Sequence, residues 1–329
     1  MSLSFFAGWV KGQWTFTPPV PTTTYTGQTV IVTGANIGLG LEAARHIVNL
    51  DAARVILAVR TLKKGETAKT DIEATTGRKG VVEVWQLDLS SYASVKEFAA
   101  KASKLDRLDI LLENAGIATE KFTLLEDNES TITVNVVSTY LLALLLLPIL
   151  KSTAATTGKK SYLTIVSSEM HFMTQAPYLT SLPPTTSIFA TLNDPNAKYQ
   201  SDRYQLSKLL EVFASRQMVD DYMSNPDYPV ITNFLTPGLC KSELMREAGL
   251  KGTIVKTAFG ARTTEVGSRT LVHATQAGQD SHGRFLMNCQ IRDVAPLVES
   301  EKGVVLQRRV WEELSAKLEK IQPGILKNF

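Results

Sequence analysis

The sequence predicts one α/β domain built on a doubly wound parallel sheet of about seven strands. Three observations lead there. From about residue 28, short β-branched runs alternate with longer amphipathic segments, the rhythm of βαβ units. The runs are apolar at nearly every position, as strands covered on both faces must be. The chain has 329 residues, 44% hydrophobic and 20% charged, enough for a large buried core and far from the composition of a disordered chain.

The strands are read at 29–34 (TVIVTG), 54–59 (RVILAV), 81–88 (VVEVWQLD), 108–115 (LDILLENA), 161–168 (SYLTIVSS), 230–238 (VITNFLTPG) and 284–290 (RFLMNCQ). Between them, apolar residues recur at helical spacing over 39–49, 94–103, 132–150, 204–223 and 264–276. Residues 1–27 hold Pro18, Pro19 and Pro21 beside several threonines, so they read as an extended arm ahead of a single domain spanning 28–329. Either the arm lies on its own domain, or Phe5, Phe6 and Trp9 touch a membrane or cover a substrate.

Lys and Arg number 35 against 32 Asp and Glu, and the basic residues are dispersed, so no nucleic-acid footprint is expected. Cys240 and Cys289 are too few for a disulfide framework, and His46, His171, His273 and His282 lack metal-ligand spacing. No metal is expected. Gly8 and Lys11 interrupt the apolar stretch of Phe5, Phe6, Trp9 and Val10, which does not read as a signal peptide. The longest apolar run, 140–150, contains Pro148 and falls short of the roughly 20 residues of a membrane span. The reading is a cytoplasmic protein without an integral membrane segment.

The first strand runs into Gly34, Ala35, Asn36, Ile37, Gly38, Leu39 and Gly40, after which a helix begins. Strand, glycine turn and helix form a phosphate cradle: free backbone N–H groups and the helix dipole favour an anion, and absent Cβ atoms let a pyrophosphate approach. The second strand ends at Arg60, with no acid in the turn and with Lys63 and Lys64 close behind. An acid there would bind a ribose hydroxyl, whereas a guanidinium pairs with a 2′-phosphate. NADP(H) is therefore the expected cofactor, the alternative being that Arg60 is an exposed loop cation. Asp88, followed by Leu89, can accept from an adenine amine, and the small residues of Asn114, Ala115 and Gly116 let the backbone approach the dinucleotide. Each of these also reads as an ordinary helix cap or turn.

For chemistry, Tyr204 and Lys208 lie one helical turn apart on one face, after the strand ending in Ser167 and Ser168. A nearby ammonium, with the positive charge of an oxidised nicotinamide, would bring the phenol from a pKa near 10 toward neutrality, a shift of about three units, or roughly 4 kcal/mol. Tyr92 and Lys96 repeat the spacing but sit in the adenine half, where they read as a surface helix pair.

In this combination the residues resemble the short-chain dehydrogenase/reductase family, in its single-domain Rossmann form. The likeness rests on TGANIGLG at 33–40, Asp88, Asn114-Ala115-Gly116, Asn135, Ser168, Tyr204 with Lys208, and Pro237-Gly238, in that order along nearly all of the chain after residue 27. Ala58-Val59-Arg60, the long helix before the serine strand and Trp311-Glu312-Glu313-Leu314 are similar to the retinol dehydrogenase and WW-domain oxidoreductase branch. The resemblance implies Tyr204 as general acid/base, Ser168 holding the substrate oxygen, Lys208 on the nicotinamide ribose and tuning Tyr204, and Asn135 anchoring a relay water. Ser167 remains the alternative serine. The 140–150 helix, too apolar for a solvated surface, either buries against the sheet alone or joins the Tyr204 helix in a homodimer face of the kind the resemblance implies.

Three departures matter. Glu113 replaces the asparagine that often precedes Asn-Ala-Gly, and no basic residue precedes Gly38. The stretch from Ser168 to Tyr204 is longer than usual, inserting a loop with Met170, His171, Phe172, Met173, Tyr178, Leu179 and Phe189. That loop (169–203) reads either as an apolar substrate wall or as a packed peripheral insertion. The second wall is assigned to 239–263, with Leu239, Cys240, Leu244, Met245, Leu250 and Ile254, in which Cys240 reads as a bystander thiol. The reading is an NADP(H)-dependent ketone or aldehyde reductase, or alcohol dehydrogenase, acting on a hydrophobic small molecule of secondary-metabolite, terpenoid, retinoid or steroid type. A non-catalytic regulator of the same fold has no chemical need for Ser, Tyr, Lys and Asn together. An epimerase or dehydratase of this fold usually carries a larger C-terminal substrate domain.

Overall fold

A computed structural model describes residues 8, 12–195, 200–244 and 259–329. Its eight-stranded sheet runs in the order β10-β9-β8-β7-β4-β1-β2-β3. The first four strands are β1 (Thr29–Thr33), β2 (Arg54–Val59), β3 (Val82–Gln86) and β4 (Ile110–Glu113), and the later ones are β7 (Ser161–Val166), β8 (Val230–Thr236), β9 (Phe285–Met287) and β10 (Gln290–Arg292). A separate two-stranded hairpin, β5 (Leu124–Leu125) with β6 (Asn128–Glu129), precedes the long central helix. All neighbouring pairs of the main sheet are parallel except β9 with β10. Every residue of β1 and β8 is buried, which accounts for their unbroken apolar character.

The seventh predicted strand, 284–290, is half strand and half turn. Asn288 and Cys289 both take positive φ, 55° and 57°, and make the two-residue reversal that adds the antiparallel edge strand β10. Asn tolerates this backbone, whereas a run of residue types alone does not reveal it.

The helices are α1 (Gly38–Asn49), α2 (Leu62–Thr76), α3 (Tyr92–Ala102), α4 (Ser138–Thr157), α5 (Arg203–Met218), α6 (Thr264–Ala274) and α7 (Glu301–Ile321). A helical turn at Ser130–Ile132 and a π-turn at Thr133–Val137 lead directly into α4. The resulting helix, Ser130–Thr157, is longer than the apolar run at 140–150 indicated and passes through Pro148. It is long and apolar enough to cross a membrane, yet most of its apolar window is buried inside the protein. Pro148 itself is exposed, so its missing N–H falls on the solvent side.

Much of that burial comes from α7. Val310, Trp311, Leu314 and Leu318 are buried in the same core as α4 and α5. Trp311 meets Tyr140 edge-on at 6.3 Å, Gln307 bonds Arg216 and Gln217 of α5, and Phe329 stacks on Tyr222 at 4.1 Å. The chain's own C-terminal helix thus packs on both helices named above as a self-association face.

The insertion after Ser168 also packs inward. Phe172, Leu179, Ile188, Phe189 and Leu192 join the core, and α7 latches the loop from outside. Glu313 accepts from the N–H groups of Ile188 and Phe189, and Arg309 donates to three carbonyls between residues 182 and 186. Of the loop residues named for a substrate wall, only Met173 is largely exposed. The arm at 12–27 is tied down by Tyr25, whose hydroxyl bonds Thr275 at 2.7 Å, and by Gln13, which donates to Leu239 O. Phe5, Phe6, Trp9, Val10, Met245, Leu250 and Ile254 lie outside the described residues.

Trp311 is buried against both central helices, so Trp311→Ala should lower unfolding free energy by about 3–5 kcal/mol, read from denaturant midpoints. A change within about 0.5 kcal/mol would show that α7 is only loosely applied.

Candidate active site

Strand order reverses between β1 and β4, so the loops at their carboxyl ends part and leave a crevice. Thr33 ends β1, and its hydroxyl accepts from the N–H groups of Asn114 and Ala115. The Asn114 amide donates back to Thr33 O at 2.9 Å. A Cβ on Gly40 would lie 2.8 Å from Gly34 O and meet the Asn114 amide as well. Glycine at 40 is therefore required by the packing of α1 on the turn, and Asn114 holds the glycine loop from behind.

The first turn of α1 suits an anion. Its cap, Ile37, supplies no side-chain hydrogen bond, and no acid occupies the turn. Gly38 has φ +65°, and a Cβ there would find its nearest neighbour, Thr264, 4.0 Å away, so this side of the loop is open. Asn36 and Leu39 are half-buried, and Ile37 is exposed. Arg60 stands exposed past the end of β2, with Lys63 and Lys64 exposed in the first turn of α2.

Asp88 closes a local turn, its Oδ1 accepting from the N–H and hydroxyl of Ser90. Leu89 is buried, its carbonyl taken by Ser138. Gly116 passes close to Asn135, and Ile117 exchanges two hydrogen bonds with the Asn135 amide. Asn135 also donates to Ser207 Oγ at 3.0 Å, and it sits within the π-turn before α4. Both amide protons are committed, so Asn135 ties the Asn-Ala-Gly loop to α5. A relay water would have to use its Oδ1.

Ser168 and Tyr204 meet. Ser168 stands close enough to the Tyr204 phenol to lower its pKa in part, and its hydroxyl accepts from Met170 N. Ser167 turns the other way, donating to Lys208 O at 3.2 Å. The geometry therefore pairs the tyrosine with Ser168 and leaves Ser167 to the helix.

Lys208 lies across the Tyr204 ring, its Nζ 5.8 Å from the centroid, and donates to Val166 O at 3.0 Å and to Glu211 Oε1 at 2.8 Å. The phenol is pushed above its ordinary range. Burial is the main cause; the Ser168 hydrogen bond pulls it back, and the Glu211 and Glu169 charges push it further up. In the cofactor-free protein burial therefore outweighs any lowering of the phenol by Lys208, and the Glu211 carboxylate one turn along α5 adds to the rise.

Other sequence readings are also resolved. Tyr92 is not a surface residue: it is buried, and its hydroxyl donates to Asp127 and accepts from Asn128. Cys240 is buried, with its thiol pushed up to about 12 chiefly by burial. Pro237 is buried and gives its carbonyl to Arg262, which also reaches Phe16 O and Asn288. Gly238 lies beneath Gln13 of the arm. Among the described residues, no cluster of three or more His, Cys, Asp or Glu could hold a metal.

The spacing of residues does not reveal the place of His171, which lies in a loop that the sequence allows as a substrate wall or as a packed insertion. It is fully buried between Phe172 and Phe285. Its Nε2 receives the Ala295 N–H at 3.1 Å, so the ring proton is on Nδ1 and is donated to Ser168 O at 2.7 Å. This neutral imidazole fastens the Ser168 backbone to the segment ahead of α7.

A family model described as short chain dehydrogenase matches residues 28–199. The chain is a short-chain dehydrogenase/reductase. Short chain dehydrogenase/reductase dmxR8 of Cryptosporiopsis sp. is 50% identical to it over 315 residues, 94% of this chain and 96% of that one. Short-chain dehydrogenase anuD of Penicillium roqueforti is 42% identical over 316 residues, 94% and 82% of the two chains. Among solved structures, an uncharacterized protein from Mycobacterium Paratuberculosis superposes with a TM-score of 0.66 at 25% identity, covering 91% of this chain and 96% of that one. The Pseudomonas aeruginosa RhlG/NADP active-site complex shares the fold, with a TM-score of 0.59 at 21% identity over 80% and 95%. This short-chain dehydrogenase/reductase is an oxidoreductase of a family that uses NAD(P). The uncapped α1 N-terminus and the open side of Gly38 fit a dinucleotide pyrophosphate.

Burial pushes His171 down to about 4 from 6.5, and its bond to Ser168 opposes this. Below pH 6.5 the unfolded chain takes the proton first, so stability present above that pH is lost as pH falls toward 4. The effect is on the order of 3 kcal/mol. His171→Gln should flatten the pH dependence of the urea midpoint between pH 7 and 4.5; an unchanged slope would contradict a neutral buried imidazole.

Proposed function

We propose that this oxidoreductase is an NADP(H)-dependent carbonyl reductase, transferring hydride between the nicotinamide and the carbonyl or secondary alcohol of a hydrophobic small molecule, most readily in the direction of ketone or aldehyde reduction. The observation that carries the reading is the convergence of Ser168, just past β7, with Tyr204 and Lys208 of α5: the Lys208 ammonium lies 5.8 Å from the Tyr204 ring and donates to Val166 O, two residues before Ser168, and Ser168 acts on the phenol, whose pKa burial raises. A protonated phenol beside a second hydroxyl is the pair needed to receive a carbonyl oxygen: Ser168 holds the oxygen, and Tyr204 gives it a proton as negative charge builds there.

Bound NADPH supplies the hydride. The protein's own part is to hold the phosphates on the α1 turn, to set Lys208 below the Tyr204 ring and to keep Asn135 bracing the loop at 114–117. NADP rather than NAD is supported by Arg60, exposed at the end of β2 with no acid in the turn, and by Lys63 and Lys64 beside it. Leu239 and Leu244, both half-buried after β8, and exposed Met173 support an apolar substrate. The free thiols Cys240 and Cys289 suit a cytoplasmic setting.

Tyr204→Phe should reduce turnover of hydrophobic ketones and aldehydes by about 100-fold or more while NADPH still binds, followed by NADPH absorbance and fluorescence. Equal turnover in the two proteins would refute the assignment. Arg60→Ala should weaken NADPH about tenfold or more and leave NADH nearly unaffected, since a charge-assisted phosphate contact contributes roughly 1.5–3 kcal/mol. If both dinucleotides respond alike, Arg60 is not the phosphate partner.

A further inference from the structure

Beneath Tyr204 lie buried charges that the proton transfer itself does not use. Glu211, one turn beyond Lys208 on α5, receives a hydrogen bond from the Lys208 ammonium on Oε1. Its Oε2 has no hydrogen-bond partner among the described residues. Glu113, at the end of β4 and opposite Ile165 of β7, is also buried, and neither of its carboxyl oxygens has a partner among them. Tyr140 of α4 offers no help, because its hydroxyl donates to the Glu211 backbone carbonyl.

One ammonium therefore stands against two buried carboxyl groups. Two carboxylates cannot both remain ionised in such a place, and the one touching the cation keeps its charge more easily. Burial raises both carboxyls above the usual carboxylate value, Glu113 well above it with the charge of Glu211 adding to the rise, whereas for Glu211 the Lys208 ammonium opposes part of the rise.

We propose that Glu211 is a positioning residue for Lys208, fixing the ammonium against Val166 O beneath the Tyr204 ring and offsetting its charge, while Glu113 stays a neutral acid so that the pair carries a single negative charge. The proposal rests on the reading of Tyr204 as proton donor. The titratable groups that bear on the phenol are Lys208 and Glu211 on α5 and Glu169 after β7, with Glu113 on β4 and Tyr140 on α4 coupled to Glu211. In this arrangement the charge of Glu211 adds to burial in opposing ionisation of the phenol.

The test compares the full-length wild type with Glu211→Gln, Glu113→Gln and the charge-preserving Glu211→Asp. Infrared spectra of the cofactor-free proteins at neutral pH should show the C=O stretch of a buried protonated acid in the wild type, and its loss in Glu113→Gln. In NADPH-dependent reduction, the alkaline limb of kcat/KM should move down by about one pH unit or more in Glu211→Gln. Its midpoint should stay at the wild-type value in Glu113→Gln and in Glu211→Asp. A Glu211→Gln enzyme that is slower at every pH with an unmoved midpoint would reduce Glu211 to a packing residue and overturn the proposal. No acid band in the wild type, or one that survives Glu113→Gln, would overturn the neutral Glu113. A band that behaves as expected in a wild type without reductase turnover would support the neutral acid and overturn the reading of Tyr204 as donor.

Discussion

Parallel strand pairing is the constraint on which the rest of the molecule depends. Because β1, β2, β3, β4, β7, β8 and β9 run the same way, their carboxyl ends open on one edge of the sheet. Residues far apart in sequence are thereby delivered to one crevice: the glycine turn after β1, Arg60 after β2, Asn114 after β4 and Ser168 after β7. The reversal of strand order at β1 and β4 keeps that crevice from being filled by a crossover helix. The two loops flanking it are joined to each other by Thr33 and Asn114 rather than left to find their positions separately.

Desolvation is the second theme. The site sits on a sheet with both faces covered, so its polar groups must be satisfied internally or surrender their charge. His171 remains neutral and spends both ring nitrogens on the backbone. Lys208 keeps a carboxylate at hydrogen-bond distance, and Tyr204 retains its proton. The Tyr204 phenol is shaped more by the low dielectric around it than by the cation beside it, since burial is the largest cause of its rise.

The C-terminal helix explains how a long apolar helix and an apolar insertion coexist with an ordinary exterior. Trp311 closes over Tyr140, Glu313 caps the short helix at Ile188, and Arg309 gathers the carbonyls of the loop before it. Each of these ties is intramolecular. Surface that would otherwise be offered to a partner is used within the chain, and the loop after Ser168 gains a rigid backing.

The sequence by itself determined the strand order along the chain, the glycine turn, the tyrosine–lysine spacing and the family, because these depend on local periodicity and on residue types that few other backbones tolerate. Strand ends drifted by a few residues, and 284–290 concealed a turn, since side-chain pattern does not report the sign of φ at Asn288 and Cys289. Tertiary structure alone decided which serine faces the phenol, that Tyr92 is buried, that His171 is a strut rather than a wall, that the insertion packs inward, and that Lys208 is held by Glu211. The reason is common to all of these. Each depends on which side chain a distant segment brings within a few ångströms and on how much water is removed when it arrives, and neither quantity is carried by the spacing of residues along one strand or helix.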